Sequence, residues 1–117
     1  MSHKRPTKAQ QDRLDRLHRL PCMACVKEGI AQPFPTEAHH LVDFGYREHS
    51  GGHDSTLPLC GWHHRGLQRE LWLKIEMEAK YGPSLGLNKR KFVATYGTER
   101  ELLAKIDVLL GLQRMTA

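Results

Sequence analysis

Seven residues between positions 22 and 64 constrain this chain more than any others. Cys22-Met23-Ala24-Cys25 is followed by adjacent His39 and His40, and then by Cys60-Gly61-Trp62-His63-His64. Two residues separate Cys22 from Cys25, and two separate Cys60 from His63. Each pair can deliver two ligands to one ion from a single turn, which is how small zinc sites are assembled. Together they form a Cys3His set that uses every cysteine in the chain. The alternative is a group of small buried residues with no metal. The paired spacing favours structural zinc, as does the short chain, because a small core often needs a metal to hold it.

Composition supports that choice. Only 39% of the 117 residues are hydrophobic, and three cysteines are too few and odd in number for a closed disulfide framework. Thiolate–metal bonding in a reduced compartment fits better. No apolar run follows Met1-Ser2-His3-Lys4-Arg5, and no stretch approaches the roughly 20 apolar residues that span a bilayer. The expected setting is therefore soluble and cytoplasmic. A formal charge of +5 favours a polyanionic partner, most simply nucleic acid.

Length predicts one domain over residues 1–117, with a flexible basic tail at 1–6. Thr7 and Gln10 have capping-box spacing, so a helix should open there, bury Leu14, Leu17 and Leu20, and end at Pro21. Arg13, Arg16 and Arg19 read as a solvated face in preference to a phosphate-contact row. A tight turn is expected at 22–25, a loop at 26–37, and strands at 38–44 and 56–59 joined by a long loop over 45–54. Leu67, Leu71, Ile75 and Ala79 predict a helix running through Lys80, broken at Gly82-Pro83-Ser84. Two C-terminal helices should follow within 87–112. The last has a Thr98/Glu101 capping box and an apolar face of Leu102, Ile106, Leu109 and Leu110.

His39, His40 and His64 remain after the zinc set is assigned. Adjacent side chains on a strand point to opposite faces, so one can bind an ion while the other faces substrate where the strand ends. His64 directly follows His63, so the zinc would fix its position. Taken singly, each histidine reads as a hydrogen-bonded or exposed residue. Their joint placement inside the zinc clasp points to a second site.

With these residues in place, the chain resembles the HNH endonucleases, also called ββα-metal or His-Me finger nucleases. Many members carry Cys-x2-Cys, then Asp-His or His-His on a first strand, then Asn shortly before Leu-Cys-x2-Cys-His. The likeness spans residues 22 to about 75. It implies a small α+β fold, a zinc-stabilised ββα-metal core with flanking N- and C-terminal helices. By the resemblance, His39 and His64 hold a catalytic divalent cation and His40 is the general base. Cys22, Cys25 and Cys60 occupy zinc-knuckle positions, with His63 replacing the fourth cysteine. The family's middle Asn falls at Ser55. Asp54 beside it either accepts a hydrogen bond from His40 or is a third metal ligand, while His49 and His53 in the loop could also approach the ion but are assigned to the surface in preference.

More narrowly, Glu-Ala-His-His-Leu, Pro-Leu-Cys-x2-His-His-Arg-Gly and the helical tail resemble the phage-type recombination-enhancement (Ref) nucleases. Some of these cut DNA where the RecA recombinase has bound. The resemblance implies a metal-dependent endodeoxyribonuclease that leaves 5′-phosphate and 3′-hydroxyl ends, and since no element of the sequence obviously reads base edges, low sequence specificity is expected. It would act in phage or prophage recombination within a bacterial host cell. Mg²⁺ or another divalent cation would serve catalysis, Zn²⁺ would serve structure, and a RecA-type filament is a candidate partner. Arg65 and Arg69 would lie near DNA phosphates, with Lys89, Arg90 and Lys91 as a second basic cluster. The competing class is a non-catalytic zinc-binding module that docks nucleic acid or a recombinase. Such a module has no use for His39, His40 and His64.

Overall fold

A computed structural model describes residues 5–42 and 52–116 of the chain, with side chains through residue 111. Residues 1–4 of the expected tail, Phe44, His49 and residues 45–51 of the expected loop lie outside the described residues. Thr7 and Gln10 form the expected capping box: Thr7 Oγ1 accepts from the Gln10 amide at 3.1 Å and Gln10 Oε1 from the Thr7 amide at 2.9 Å. They open helix α1, Lys8–His18, which buries Leu14 and Leu17. Leu20 is buried just beyond its end.

Where a tight turn was expected, Cys22 caps a short helix α2, Met23–Glu28, closed by Gly29 at φ 70°. Strand β1 covers Thr36–His40, earlier than the predicted 38–44, and pairs antiparallel with β2, Thr56–Cys60. A single 3-10 turn, Gly52–Asp54, leads into β2. Thr36 faces Cys60 across the ladder and His40 faces Thr56. All five β2 residues are buried, so this strand is the floor on which the helices pack.

Helix α3, Gly61–Arg65, follows β2 without a gap and stops at Gly66, whose φ of 75° is left-handed. The continuous helix predicted through Lys80 is therefore corrected. Residues 67–73 are not helical, and α4 runs only over Lys74–Tyr81. A left-handed residue ends the α3 hydrogen-bond ladder, and a Cβ at Gly66 would meet the Leu87 side chain at 2.7 Å. The apolar spacing that suggested the helix lies on the outside: Leu71 is 96% exposed and Ile75 75%. Met77 and Tyr81 form the buried face of α4 instead.

Helix α5, Lys89–Tyr96, is capped by Asn88, and α6 runs Glu99–Thr116. Leu102, Ile106 and Leu110 of α6 are buried, whereas Leu109, predicted on that face, turns outward at 41% exposure. Each large core side chain at full burial, such as Leu57, Trp62 or Phe92, contributes about 1.5–3 kcal/mol. Arg13 and Arg16 do not belong to a solvated face. Arg13 donates to the Thr56 hydroxyl (3.2 Å), the Thr56 carbonyl (3.1 Å) and Asp107 (2.9 Å), and Arg16 donates to the Leu110 carbonyl. These contacts bind α1 to β2 and α6. No helix among the described residues is long and apolar enough to cross a membrane.

Candidate functional site

The Cys3His set converges. Cys22, Cys25, Cys60 and His63 are all buried, and their ligand atoms lie within 4.8 Å of one another. His63 Nδ1 sits 3.5 Å from Cys22 Sγ, 3.5 Å from Cys25 Sγ and 3.4 Å from Cys60 Sγ, and the Cys25 and Cys60 sulfurs are 3.9 Å apart. Tetrahedral zinc at ordinary bond lengths separates sulfurs by about 3.8 Å and sulfur from nitrogen by about 3.6 Å. The cluster therefore fits structural zinc. His63 Nε2 donates to the Tyr81 carbonyl at 2.7 Å, which leaves the Nδ1 lone pair for the ion.

The thiols respond to one another. Hydrogen bonds from Cys25 and then Cys60 push the Cys22 thiol far down, while contact with Cys22 and Cys60 pushes that of Cys25 up. Burial opposes charge on His63, but its bonds to Cys22 and Cys60 outweigh this and raise the ring to about 9. A bound cation would relieve this concentration of negative charge.

The zinc-ligand set places the next residue. His64 follows His63 on α3, and its ring centroid lies 5.1 Å from that of His39 on β1. His39, His40 and His64 line one cleft of about 450 Å³ together with Ala38 and Val42. His39 is buried, with Nε2 3.2 Å from Glu99 Oε1. His64 Nδ1 is 2.7 Å from Glu37 Oε1, and Arg65 grips the same carboxylate at 3.0–3.1 Å.

Burial lowers the His64 pKa from the ordinary histidine value, and the Glu37 hydrogen bond only partly offsets this. Burial works against charge on Glu99 too, yet the His39 hydrogen bond and the nearby His39 and Lys89 charges hold its carboxyl below the usual range. Glu37 behaves likewise, with Arg65 and His64 overcoming its burial.

The two residues expected beside His40 have other partners. Asp54 is exposed, and its carboxylate accepts from Gln10 Nε2 at 2.9 Å. Ser55 is buried and contributes through its backbone, its carbonyl accepting from the Leu41 amide. The ring that meets His40 belongs to His53, Nδ1 to Nε2 at 2.9 Å, so His53 is not the surface residue expected.

The basic residues are largely engaged. Arg69 stacks over Trp72 at 4.6 Å and donates to the Tyr81 hydroxyl, and Lys91 pairs with Glu78. Lys89 Nζ stands 3.9 Å from Glu99, and Arg90 is exposed.

Sequence reasoning missed Glu37, His53 and Glu99 as site residues. Glu37 carried a usable signal, since it precedes His39 by two positions and so shares its strand face. Glu99 carried none, because the fold brings it from the start of α6. A family model described as recombination enhancement, RecA-dependent nuclease, matches residues 6–110.

Proposed function

Because the chain belongs to the RecA-dependent nuclease family of recombination enhancement, we propose that it is an HNH-type, metal-dependent endonuclease. It hydrolyses DNA phosphodiester bonds with low sequence specificity in phage or prophage recombination. The observation that carries this reading is the convergence of His39, His40 and His64 on one cleft, beside a buried four-donor Cys3His cluster whose His63 shares α3 with His64. The hairpin of β1 and β2 followed directly by α3 is the ββα-metal unit in this reading, within a single domain over residues 1–117.

His39 and His64 would hold the catalytic divalent cation, Mg²⁺ or another. Bound there, such an ion would polarise phosphate and would stabilise the charge that builds on the leaving oxygen. Two imidazoles on one cleft wall suit this task, because they leave room for phosphate. His40 takes the proton from the attacking water, and the His53 ring holds His40 in place. Asp54 and Ser55 anchor the approach to β2, Asp54 through Gln10 and Ser55 through the strand backbone. Lys89 and Arg90 contact DNA phosphates. Arg69 and Lys91 trade their present partners for phosphate when DNA arrives, and the exposed Arg65 reaches phosphate while it keeps Glu37. Phosphate contacts give affinity without base reading, and binding weakens steeply with salt.

The test is plasmid nicking with Mg²⁺, and cleavage of a duplex paired into a RecA filament, by wild type and His40→Ala. Loss of at least about a hundredfold in rate at unchanged zinc content is expected. Nicking that survives the substitution unchanged would exclude His40 as the base, and no nicking by either protein would favour a non-catalytic zinc module.

A further inference from the structure

We propose that Glu37 and Glu99 are positioning residues that fix the tautomers of two imidazoles, leaving Nε2 of His64 and Nδ1 of His39 as the lone pairs presented to an ion. The inference rests on the reading of His39 and His64 as ion holders.

An ionised carboxylate only accepts hydrogen bonds. With Glu37 Oε1 2.7 Å from His64 Nδ1, the proton of that ring sits on Nδ1 and Nε2 carries the lone pair. With Glu99 Oε1 3.2 Å from His39 Nε2, the proton of that ring sits on Nε2 and the lone pair falls to Nδ1. Both carboxylates are themselves held. Arg65 binds the two oxygens of Glu37. Glu99 Oε2 accepts from the Val42 amide at 3.2 Å, and its side chain is 1% exposed.

Neither carboxylate stands as a ligand itself. Each carboxylate spends its oxygens on hydrogen bonds, Glu37 to His64 and Arg65 and Glu99 to His39 and the Val42 amide, and neither belongs to the Cys3His group. They act from behind the rings, as second-layer carboxylates do when they orient a histidine and raise its basicity.

The two carboxylates differ in a way that can be read. Neutral imidazole in water prefers its proton on Nε2. Glu99 reinforces that preference at His39, whereas Glu37 reverses it at His64. Without Glu37, the His64 proton should move to the nitrogen that faces the ion.

The experiment uses the full-length, zinc-loaded protein labelled with ¹⁵N at histidine. Long-range ¹H–¹⁵N spectra report ring tautomers, and titration with Mn²⁺ reports binding. Wild type should show His64 protonated on Nδ1, and Glu37→Ala should show it protonated on Nε2 with Mn²⁺ affinity down about ten- to a hundredfold. Glu99→Gln, nearly isosteric and so unlikely to disturb packing, should lose affinity on the same scale with zinc content and circular dichroism unchanged. Wild-type His64 protonated on Nε2, or unchanged tautomers and unchanged Mn²⁺ affinity in both variants, would overturn the inference. If Mn²⁺ fails to perturb the wild-type His39 and His64 rings, the ion-holding reading falls and takes this inference with it. The tautomer spectra, recorded before Mn²⁺ is added, tell these failures apart.

Discussion

Replacing Cys60 removes one of the three sulfurs grouped with His63 Nδ1 and leaves two sulfurs and a ring without a complete ion site. Structural zinc in small sites is worth about 10–16 kcal/mol of folding free energy. Cys60→Ser is therefore expected to purify with less than one zinc per chain and to lose its cooperative thermal transition, as metal analysis and circular dichroism would record. Arg13 offers a milder test. Its guanidinium makes three hydrogen bonds from a mostly buried position, so Arg13→Ala should cost about 2–3 kcal/mol in urea melts. Asp107→Asn, on the exposed side of the same pair, should cost less than about 1 kcal/mol. The Cys3His cluster was legible in the sequence because metal bonding demands both residue type and spacing. His53 and Glu99 were not, since hydrogen-bond partners of a ring need only proximity, and proximity came from tertiary packing.

Helix α6 begins at Glu99, so its first turn bears directly on the cleft. Thr98 Oγ1 accepts from the Glu101 amide at 3.1 Å and Glu101 Oε1 from the Thr98 amide at 2.9 Å. The backbone bond from Thr98 holds the Glu101 carboxyl below the usual carboxylate range. A depressed folded pKa adds stability above the unfolded value of about 4.3, and that stability is lost as pH falls through the folded value. Glu101→Gln keeps the cap and removes the titration. The stability difference between wild type and variant, taken from melts at pH 3 and pH 6, should therefore narrow at the lower pH. Thr98→Ala should cost about 1 kcal/mol at either pH. Capping boxes were readable because they are local. The helix predicted over residues 67–80 was not, because Leu71 and Ile75 keep helical spacing while lying outside the core, and Gly66 had already ended α3.

Across the whole molecule, the proposed function gives two classes of ion site and so two responses to chelation. A weak chelator should abolish nicking while leaving circular dichroism unchanged, and added Mg²⁺ should restore cutting. A chelator strong enough to strip the thiolate cluster should unfold the chain, and only zinc should restore it. If both losses occurred together at one chelator strength, the division of labour between the two sites would be wrong. The first helix, the two strands and the last two helices could be read from periodicity and punctuation, whereas the α+β class came with the family resemblance, and α2 and the break between α3 and α4 were not read. The way α1 and α6 close over the hairpin could not, because Arg13, Arg16 and Glu99 reach across the fold to partners that no spacing rule connects. That closure limits how far the chain can be trimmed. A fragment cut down to the hairpin and α3 would forfeit the carboxylate behind His39 along with the clasp on Thr56. Anyone grafting this cutting unit onto another protein should carry everything from Thr7 to Leu110 as one indivisible cassette.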